Sequence, residues 1–254
     1  MRVLITNDDG IGAPGLAALE QALAPLGEVY VCAPQSEHSG ASRGITLRRP
    51  LRFHEAGERR FAVDGTPADA VMVALCLLLD FHPDLVVSGI NNGPNLGENV
   101  FYSGTVAGAA EAAKHGIPSI AVSVSERENL DFAPAAAFAA QLAQQVAEKG
   151  LPPGVALNVN VPHPRYHGVE VTRQCRKISR NLMVEGRDPR GRPYYWMDEQ
   201  IPLENAEPGS DYAAVREGRI SITPLRFDNT ADDLIADLRT WLLLRREHND
   251  SRRA

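Results

Sequence analysis

The sequence predicts a doubly wound α/β fold in which a mostly parallel sheet lies between two layers of helices. Apolar strands alternate with helical segments over residues 1–165, as in parallel sheets with crossover helices. These strands are apolar on both faces, as expected when helices cover both sides of the sheet. The alternation ends near residue 165. We therefore expect a three-layer, Rossmann-like core over 1–165 and a β-hairpin arm with a terminal helix over 166–254.

The elements of the core are marked by apolar runs and by residues that start or stop helices. One helix has a clear start, because Thr66 suits the N-cap, Pro67 the first helical position and Asp69 a capping box. Gly27 marks the end of the first helix. The predicted strands cover 2–6, 28–34, 84–90, 119–125 and 155–162, and the predicted helices cover 14–27, 65–79, 106–116 and 132–150.

The last third of the chain departs from this pattern. Strand-like segments at 168–177, 193–200 and 219–225 follow one another without crossover helices, which predicts an antiparallel hairpin or arm. The segment 188–193 reads DPRGRP and is typical of a turn. A final helix over 230–248 begins acidic and ends basic, which complements the helix dipole.

Composition argues against several classes of protein. The 254 residues carry a formal net charge of -6 with scattered Lys and Arg, unlike the concentrated positive charge of a nucleic-acid binder. The three cysteines, Cys32, Cys76 and Cys175, are far apart and odd in number, so we expect neither a disulfide framework nor a zinc site. The sequence shows no signal peptide and no apolar stretch of about 20 residues, and we expect a cytoplasmic protein without membrane contact.

The loop after the first strand carries both a glycine pattern and an acidic pair. Residues 10–15 have the G-x-G-x-x-G spacing of a dinucleotide-binding loop, but no acid follows at the tip of the second strand to bind a ribose. Pro14 also lacks the N–H that a phosphate would use at the helix start. Asp8 and Asp9 would repel a pyrophosphate. The alternative is that these two carboxylates hold a cation, with Gly10 permitting the turn that brings them together.

Oxygen-bearing side chains follow three of the predicted strands. In an α/β sheet the ligand site lies at the carboxyl ends of the strands, where such side chains meet. Carboxylate, amide and hydroxyl oxygens without thiolates form a hard-ligand set that suits Mg²⁺, Mn²⁺ or Ca²⁺. The candidates are Asp8 and Asp9 after the first strand, Ser36, Ser39 and Ser42 after the second, and Asn91, Asn92 and Asn95 after the third.

A fourth group of polar residues begins a helix. Ser103, Gly104 and Thr105 precede a run of small residues, and the free N–H groups of a helix start attract anions. Taken alone, the pattern also fits an ordinary Ser or Thr N-cap on a tightly packed helix. Beside a cation site it fits a phosphate cradle, because the cation offsets the carboxylates and attracts phosphoryl oxygens.

Four segments together resemble the SurE family, the survival-protein-E type of metal-dependent nucleotidases. They are VLITNDDGIGAPG at 3–15, DGTPADAV at 64–71, DLVVSGINNGPNLGENVFYSGTVAGA at 84–109 and LNVNVP at 157–162. The similarity runs in order through nearly the whole chain and is strongest over 1–125. Asn92 stands where a small residue is common in relatives, and Ser39 lies among neighbouring serines in a loop whose length varies.

The resemblance implies a particular site and a particular reaction. One divalent metal ion per subunit, Mg²⁺ or Mn²⁺, would be held by Asp8, Asp9, Ser39 and Asn91, and the phosphate would be bound by Asn95, Ser103, Gly104 and Thr105. The implied reaction releases phosphate from nucleoside 5′- and 3′-monophosphates and from short polyphosphate. The implied assembly is a homodimer or homotetramer with exchanged C-terminal segments, in which residues 166–254 serve oligomerisation.

The sequence defines the residues of the site more closely than it defines the mechanism. No nucleophile–base pair is apparent, so the simplest mechanism uses metal-activated water, with Asp8 or Asp9 as the proton acceptor. His38 is an alternative acid or base. A covalent aspartyl-phosphate route is disfavoured, because haloacid-dehalogenase phosphatases space their two aspartates two residues apart, whereas these are adjacent. A non-catalytic module that senses metal or nucleotide is the alternative function.

Overall fold

The computed structural model describes residues 1–126, 130–176, 180–200 and 206–241. The helices are α1 Pro14–Leu23, α2 Pro67–Val73, α3 Gly104–Lys114, α4 Ala133–Lys149, α5 Asp211–Arg216 and α6 Asp232–Leu238. The strands are β1 Arg2–Thr6, β2 Glu28–Pro34, β3 Phe53–Gly57, β4 Arg60–Val63, β5 Leu85–Asn91, β6 Ser119–Val124, β7 Val155–Val161, β8 Val169–Val171, β9 Arg180–Arg187, β10 Pro193–Gln200 and β11 Ile220–Arg226. Single turns of 3₁₀-helix at Ala24–Leu26 and Gly97–Phe101 and a π-helical turn at Ala74–Leu78 complete these elements.

Within the described residues, nine strands form one sheet in the order β3-β4-β2-β1-β5-β6-β7-β11-β8. The six strands from β4 to β7 are mutually parallel. The edges are antiparallel, since β3 runs against β4 and β11 runs against β7. The predicted α/β fold is therefore confirmed. The chain leaves β1 on one side to form β2 and later returns to its other side as β5, which opens a crevice at the carboxyl ends of these strands.

Two helical layers cover the sheet. Helices α1 and α4 pack together on one face, and α2 and α3 pack together on the other. Strand β1 serves both faces, because Val3 and Ile5 belong to the core under α1 and α4, whereas Leu4 belongs to the core under α2. This alternation is what the period of two in a strand dictates, and it explains why the strands are apolar throughout.

The C-terminal strands divide between the sheet and an arm. We predicted that 168–177 and 219–225 would belong to the arm, and this is wrong, because β11 pairs with β7 and β8 pairs with β11. Strand β11 covers the edge that β7 would otherwise leave unpaired. The hairpin itself consists of β9 and β10, with the predicted turn at 188–193 between them. The assignment of separate roles to 1–165 and 166–254 stays a prediction.

Two further differences concern short or terminal elements. The hairpin of β3 and β4 was not predicted, because β3 is exposed along its whole length and its sequence, FHEAG, contains no apolar run. The predicted last helix is present as α6, and the part of that prediction beyond residue 241 lies outside the described residues. No helix in the described ranges is both long and apolar enough to cross a membrane.

The glycines at 10–15 have a packing role. A Cβ on Gly15 would lie 2.1 Å from the carbonyl oxygen of Ile90, so helix α1 contacts the end of β5 through bare backbone. Gly10 has a φ of +100°, which the turn after β1 requires. Gly12 is exposed and has nothing within 4 Å of its Cβ position. Two of the three glycines are thus explained by packing and turn geometry without any bound pyrophosphate.

We predict that Gly15→Ala destabilises the protein by about 1–3 kcal/mol, because the added methyl overlaps the backbone of β5. Gly12→Ala is the matched control, since its methyl meets open space. The measurement is the free energy of unfolding in urea for both variants. Equal stability of the two variants would contradict the close approach of α1 to β5.

Candidate functional site

A cavity of about 770 Å³ opens at the carboxyl ends of β1, β2 and β5. Its lining contains both polar and apolar residues. This is the crevice that the reversal of strand order at β1 creates. The polar lining includes Asp9, Glu37, Ser39, Asn91, Asn92, Asn95, Asn99 and Ser103, and the apolar lining includes Ala13, Pro14, Tyr102, Leu130 and Phe132.

The turn after β1 is built by Asn7. Its Nδ2 donates to the carbonyl oxygen of Gly10 at 2.9 Å, and its Oδ1 accepts from the N–H of Gly10 at 3.2 Å. This short-range turn interrupts the extended chain, so that adjacent side chains need not point to opposite faces. As a result Asp9 lines the cavity, and Asp8 lies beneath it with 4% of its surface exposed.

Asp8 connects β1 to the start of α3. Its Oδ1 accepts a hydrogen bond of 2.5 Å from the Thr105 hydroxyl. Gly104 lies so close that a Cβ there would be 2.7 Å from the Asp8 Cβ, so the helix reaches the carboxylate only through glycine. Burial raises the pKa of Asp8 to about 6, and the charge of Asp9 also raises it, while the Thr105 hydrogen bonds oppose the shift.

Asp9 faces the cavity from the same turn. Its Oδ2 accepts from the backbone N–H of Asn92 at 3.2 Å, which joins the loops after β1 and β5. Burial raises the pKa of Asp9, and the nearby charge of Glu37 raises it further, while the Asn92 hydrogen bond lowers it. Within the described part of the chain, the ion pairs include no Lys, Arg or His bound to Asp8 or Asp9. No cation from the described ranges therefore balances these two negative charges.

The structure brings the other predicted metal ligands to the same cavity. Ser39 and Asn91 both line it. The Ser39 hydroxyl donates to Glu37 Oε1 at 2.7 Å, and Asn91 Nδ2 donates to the Gly93 carbonyl oxygen at 2.7 Å, which leaves the oxygen atoms of both side chains to act as ligands. No cluster of three His, Cys, Asp or Glu side chains suited to a metal occurs in the described residues, so neutral oxygens would have to complete any metal site.

Asn95 is held from below by strand β7. Its backbone N–H donates to Asn160 Oδ1 at 2.8 Å, and its carbonyl oxygen accepts from the side chains of Asn158 and Asn160 at 2.8 and 3.1 Å. Asn95 Nδ2 donates to Ser123 Oγ at 2.8 Å, which uses one of the two hydrogens of that amide. Asn95 therefore lines the cavity with its position fixed and one amide hydrogen still available.

The three residues that begin α3 have different surroundings. Ser103 lines the cavity and caps the helix, because its Oγ accepts from the Val106 N–H at 3.0 Å. Its hydroxyl hydrogen can still be donated. Thr105 is fully buried and its hydroxyl contacts Asp8, so it lies outside the cavity lining. Gly104 is buried between them, against Asp8.

Several residues of the site were not predicted. Asn158 and Asn160 alternate in an otherwise apolar strand, and this alternation was the available signal that one face of β7 carries polar atoms. Glu37 and Asn99 also line the cavity. Each lies in a segment where the prediction rested on neighbouring serines or asparagines. Phe132 and Leu130 are apolar residues of the cavity lining, and they lie far from the polar motifs in the sequence. His38 Nδ1 lies 2.9 Å from the Ser36 carbonyl oxygen. His38 is not one of the described residues that line the cavity.

Comparisons with known proteins decide the family. The family model described as "Survival protein SurE" matches residues 3–181. The chain belongs to the SurE family. The "5'-nucleotidase SurE" of Geotalea daltonii is 49% identical over 246 residues, covering 95% of this chain and 99% of its own. The "5'-nucleotidase SurE" of Myxococcus xanthus is 50% identical over 243 residues, covering 94% of this chain and 93% of its own.

A third relative and a solved structure agree with these matches. The "5'-nucleotidase SurE 1" of Thermus thermophilus is 49% identical over 245 residues and covers 94% of this chain. The crystal structure of the SurE protein from Aquifex aeolicus superimposes with a TM-score of 0.86 at 40% identity, covering 94% of this chain and 98% of that one. The resemblance of this sequence to the SurE family is therefore confirmed along nearly its whole length.

We predict that Asp8→Asn stabilises the metal-free protein at neutral pH by about 2–3 kcal/mol, since a shift of one pKa unit is worth about 1.4 kcal/mol. The folded pKa of Asp8 is raised, so the folded state binds more protons than the unfolded state between about pH 4 and pH 6. The stability that the protonated Asp8 carboxyl contributes to the folded state is therefore lost as the pH rises from about 4 to about 6. The asparagine cannot ionise, and its Oδ1 can still accept from Thr105.

The measurement is urea unfolding in a chelator at several pH values. The advantage of Asp8→Asn over the wild type should grow from about pH 4 to about pH 6 and then level off. Asp237→Asn, a change of an exposed aspartate in α6, is the control. A difference that does not depend on pH would show that the ionisation of Asp8 is not its origin.

Proposed function

We propose that this chain is a divalent-metal-dependent phosphomonoesterase that releases phosphate from nucleoside 5′-monophosphates. The observation that carries the proposal is the pair Asp8 and Asp9, two carboxylates with no cation from the described residues paired to them, beside a cavity that is also lined with hydroxyl and amide groups. The relatives named 5′-nucleotidases supply the substrate class. Activity on 3′-monophosphates and short polyphosphate is a further part of the proposal.

The residues of the site fit a single hard cation such as Mg²⁺ or Mn²⁺. Asp8, Asp9, Ser39 and Asn91 offer two carboxylates, a hydroxyl and an amide oxygen, which are the ligand types these ions prefer. The raised pKa values of both aspartates indicate that their charges are unfavourable without a cation. A bound ion would supply positive charge to the phosphoryl oxygens and lower the pKa of water.

The phosphate would lie between the loop after β5 and the start of α3. Asn95 and Ser103 both line the cavity, and the second hydrogen of Asn95 Nδ2 and the hydroxyl hydrogen of Ser103 would donate to phosphoryl oxygens. Gly104 belongs to the same helix start, where the dipole of α3 favours an anion. Thr105 would act differently, because its hydroxyl holds Asp8 in place and thereby supports the metal ligands.

The nucleoside would contact the apolar residues of the cavity. Phe132, Leu130 and Tyr102 belong to the lining of the cavity. Aromatic rings bind flat bases of any identity by stacking. An apolar lining of this kind favours a nucleoside over a simple phosphate ester and does not select one base.

The reaction needs a proton acceptor and a proton donor in addition to the phosphate site. Water attacks phosphorus in line with the ester oxygen, the P–O bond to the nucleoside breaks, and inorganic phosphate leaves. Asp9 lines the cavity and would accept the proton that the attacking water loses. Asn95 and Ser103 would stabilise the charge that develops on the equatorial oxygens. The departing nucleoside oxygen takes up a proton.

Assembly through the arm is a further part of the proposal. Strands β9 and β10 pair only with each other among the described residues. The arm exposes an apolar surface that a second subunit would cover. We propose a homodimer or homotetramer in which C-terminal segments are exchanged, while the cytoplasmic location stays a prediction. The exposed apolar residues of the arm are Leu182, Met183, Val184, Tyr194, Tyr195, Trp196 and Met197.

The proposed activity predicts phosphate release from AMP and other 5′-monophosphates when Mg²⁺ or Mn²⁺ is supplied and none in a chelator. Asp9→Asn should lower kcat by about 100-fold or more, because it removes one metal ligand and the proton acceptor. Asp237→Asn, on the surface of α6, is the matched control. Binding of AMP without any release of phosphate would instead indicate a sensing module.

The position of Thr105 predicts an effect on the metal before an effect on the phosphate. Thr105→Val keeps the volume and removes the hydrogen bond to Asp8, which should weaken Mn²⁺ binding about tenfold. Thr105→Ser is the control, since it keeps the hydroxyl. Mn²⁺ affinity and inhibition by inorganic phosphate should be measured separately. Unchanged Mn²⁺ affinity with weaker phosphate inhibition would contradict this role and would indicate that Thr105 binds the phosphate.

A further inference from the structure

In the loop between Asn95 and Ser103, the backbone of Gly97 is hydrogen-bonded by two side chains that are distant in sequence. The N–H of Gly97 donates to Asp211 Oδ2 at 3.0 Å, and the carbonyl oxygen of Gly97 accepts from Gln174 Nε2 at 2.7 Å. Both backbone polar groups of one residue are thus bound by side chains from the last third of the chain. Gly97 has a φ of +51° and begins the 3₁₀ turn that leads to Ser103.

The same residues join the two ends of the hairpin arm. Asp211 Oδ1 accepts from the N–H of Cys175 at 2.9 Å and from that of Tyr212 at 2.8 Å. The N–H of Asp211 donates to the Arg173 carbonyl oxygen at 2.9 Å. The chain before β9 and the chain after β10 therefore meet at Asp211. We call residues 173–175 and 209–212 the arm base.

An apolar contact accompanies these hydrogen bonds. Leu96 is 3% exposed and packs in one cluster with Cys175 and Tyr212. Leu96 follows Asn95 and precedes Gly97, so consecutive residues of the loop contact the arm base, first through an apolar side chain and then through the backbone. On the other side, Asn158 and Asn160 of β7 bind the backbone of Asn95.

The chemistry of Asp211 suits it to this contact. Its side chain is buried and its three hydrogen bonds come from backbone N–H groups of Gly97, Cys175 and Tyr212. A carboxylate accepts at both oxygens, whereas an asparagine would turn an NH₂ group toward one of these N–H donors. Asp211→Asn keeps the shape of the side chain and must lose part of the connection between Gly97 and the arm base.

We propose that Asp211 and Gln174 are positioning residues that hold loop 95–97 in the geometry that phosphate binding needs. The inference rests on the proposed function, because it assigns Asn95 and Ser103 to the phosphate. Gly97 lies between these two residues, and its position is set by the arm base. The hairpin arm is thereby tied to the phosphate side of the active site, and the cation side is held separately by the turn after β1.

The test compares Gln174→Leu with Gln144→Leu. Gln144 is exposed on α4 and also donates through Nε2 to a single acceptor, Glu148, so the two changes are chemically matched. Gln174→Leu should raise the KM for AMP and the inhibition constant of inorganic phosphate about threefold to tenfold. We expect the Mn²⁺ affinity to be unchanged, because Gln174 acts on the loop at Gly97, on the phosphate side of the site.

Asp211→Asn should act in the same direction and more strongly. If this variant does not fold, Gln174→Leu decides the question alone. Weaker phosphate inhibition at unchanged Mn²⁺ affinity supports the positioning role, since general destabilisation would move both. Unchanged KM and phosphate inhibition in Gln174→Leu, or equal losses of Mn²⁺ affinity and phosphate inhibition, would overturn it.

Hydrogen exchange keeps this test independent of the proposed activity. In the metal-free protein, amides of residues 95–99 should exchange faster in Gln174→Leu than in Gln144→Leu. Equal exchange would overturn the contact as a constraint on the loop. Wild-type protein that releases no phosphate from AMP would contradict the proposed function, and faster exchange in Gln174→Leu would in that case still establish the constraint on the loop.

Discussion

The buried carboxylate of Asp8 is the interaction on which the rest of the site depends. It lies in the turn after β1, accepts a hydrogen bond from the Thr105 hydroxyl at the start of α3, and lies against Gly104, which has no side chain to displace it. A charge in this position is unfavourable unless a positive group balances it, and burial accordingly raises the pKa of Asp8 to about 6. The described residues supply hydrogen bonds and no cation. The first strand and the third helix therefore meet around a charge that a divalent ion would balance.

The order of strands explains why residues so distant in sequence surround this charge. Strands β2 and β5 flank β1 and run parallel to it, so the loops after all three open on the same edge of the sheet. The Asn92 N–H binds Asp9 across two of these loops, and the His38 N–H binds the Asp8 carbonyl oxygen across another pair. These hydrogen bonds fix the loops relative to one another.

Local sequence patterns predicted the core and much of the polar lining of the cavity. The capping box of Thr66 and Asp69 is present, and the polar residues after β1, β2 and β5 lie at one edge because parallel topology requires it. Long-range pairings were not predictable in this way. The pairing of β11 with β7 and the contact of Asp211 with Gly97, 114 positions apart, depend on where the chain returns after the arm. The hydrogen bond from Thr105 to Asp8 was also not predicted, because a threonine hydroxyl suits a phosphate or a carboxylate equally, and phosphate binding by Thr105 stays a prediction.

Two buried aspartates show how partners, and not residue type, determine what a carboxylate does here. Burial raises the pKa of both Asp8 and Asp211. Asp211 directs its oxygens at three backbone N–H groups, so its charge is used within the fold and connects the arm base to Gly97. Asp8 has the Thr105 hydroxyl and the charge of Asp9 beside it, which adds repulsion. The hydrogen bonds around Asp211 satisfy its negative charge, so this carboxylate serves to hold the fold together. The surroundings of Asp8 leave a charge that, in the function proposed here, a divalent cation would balance.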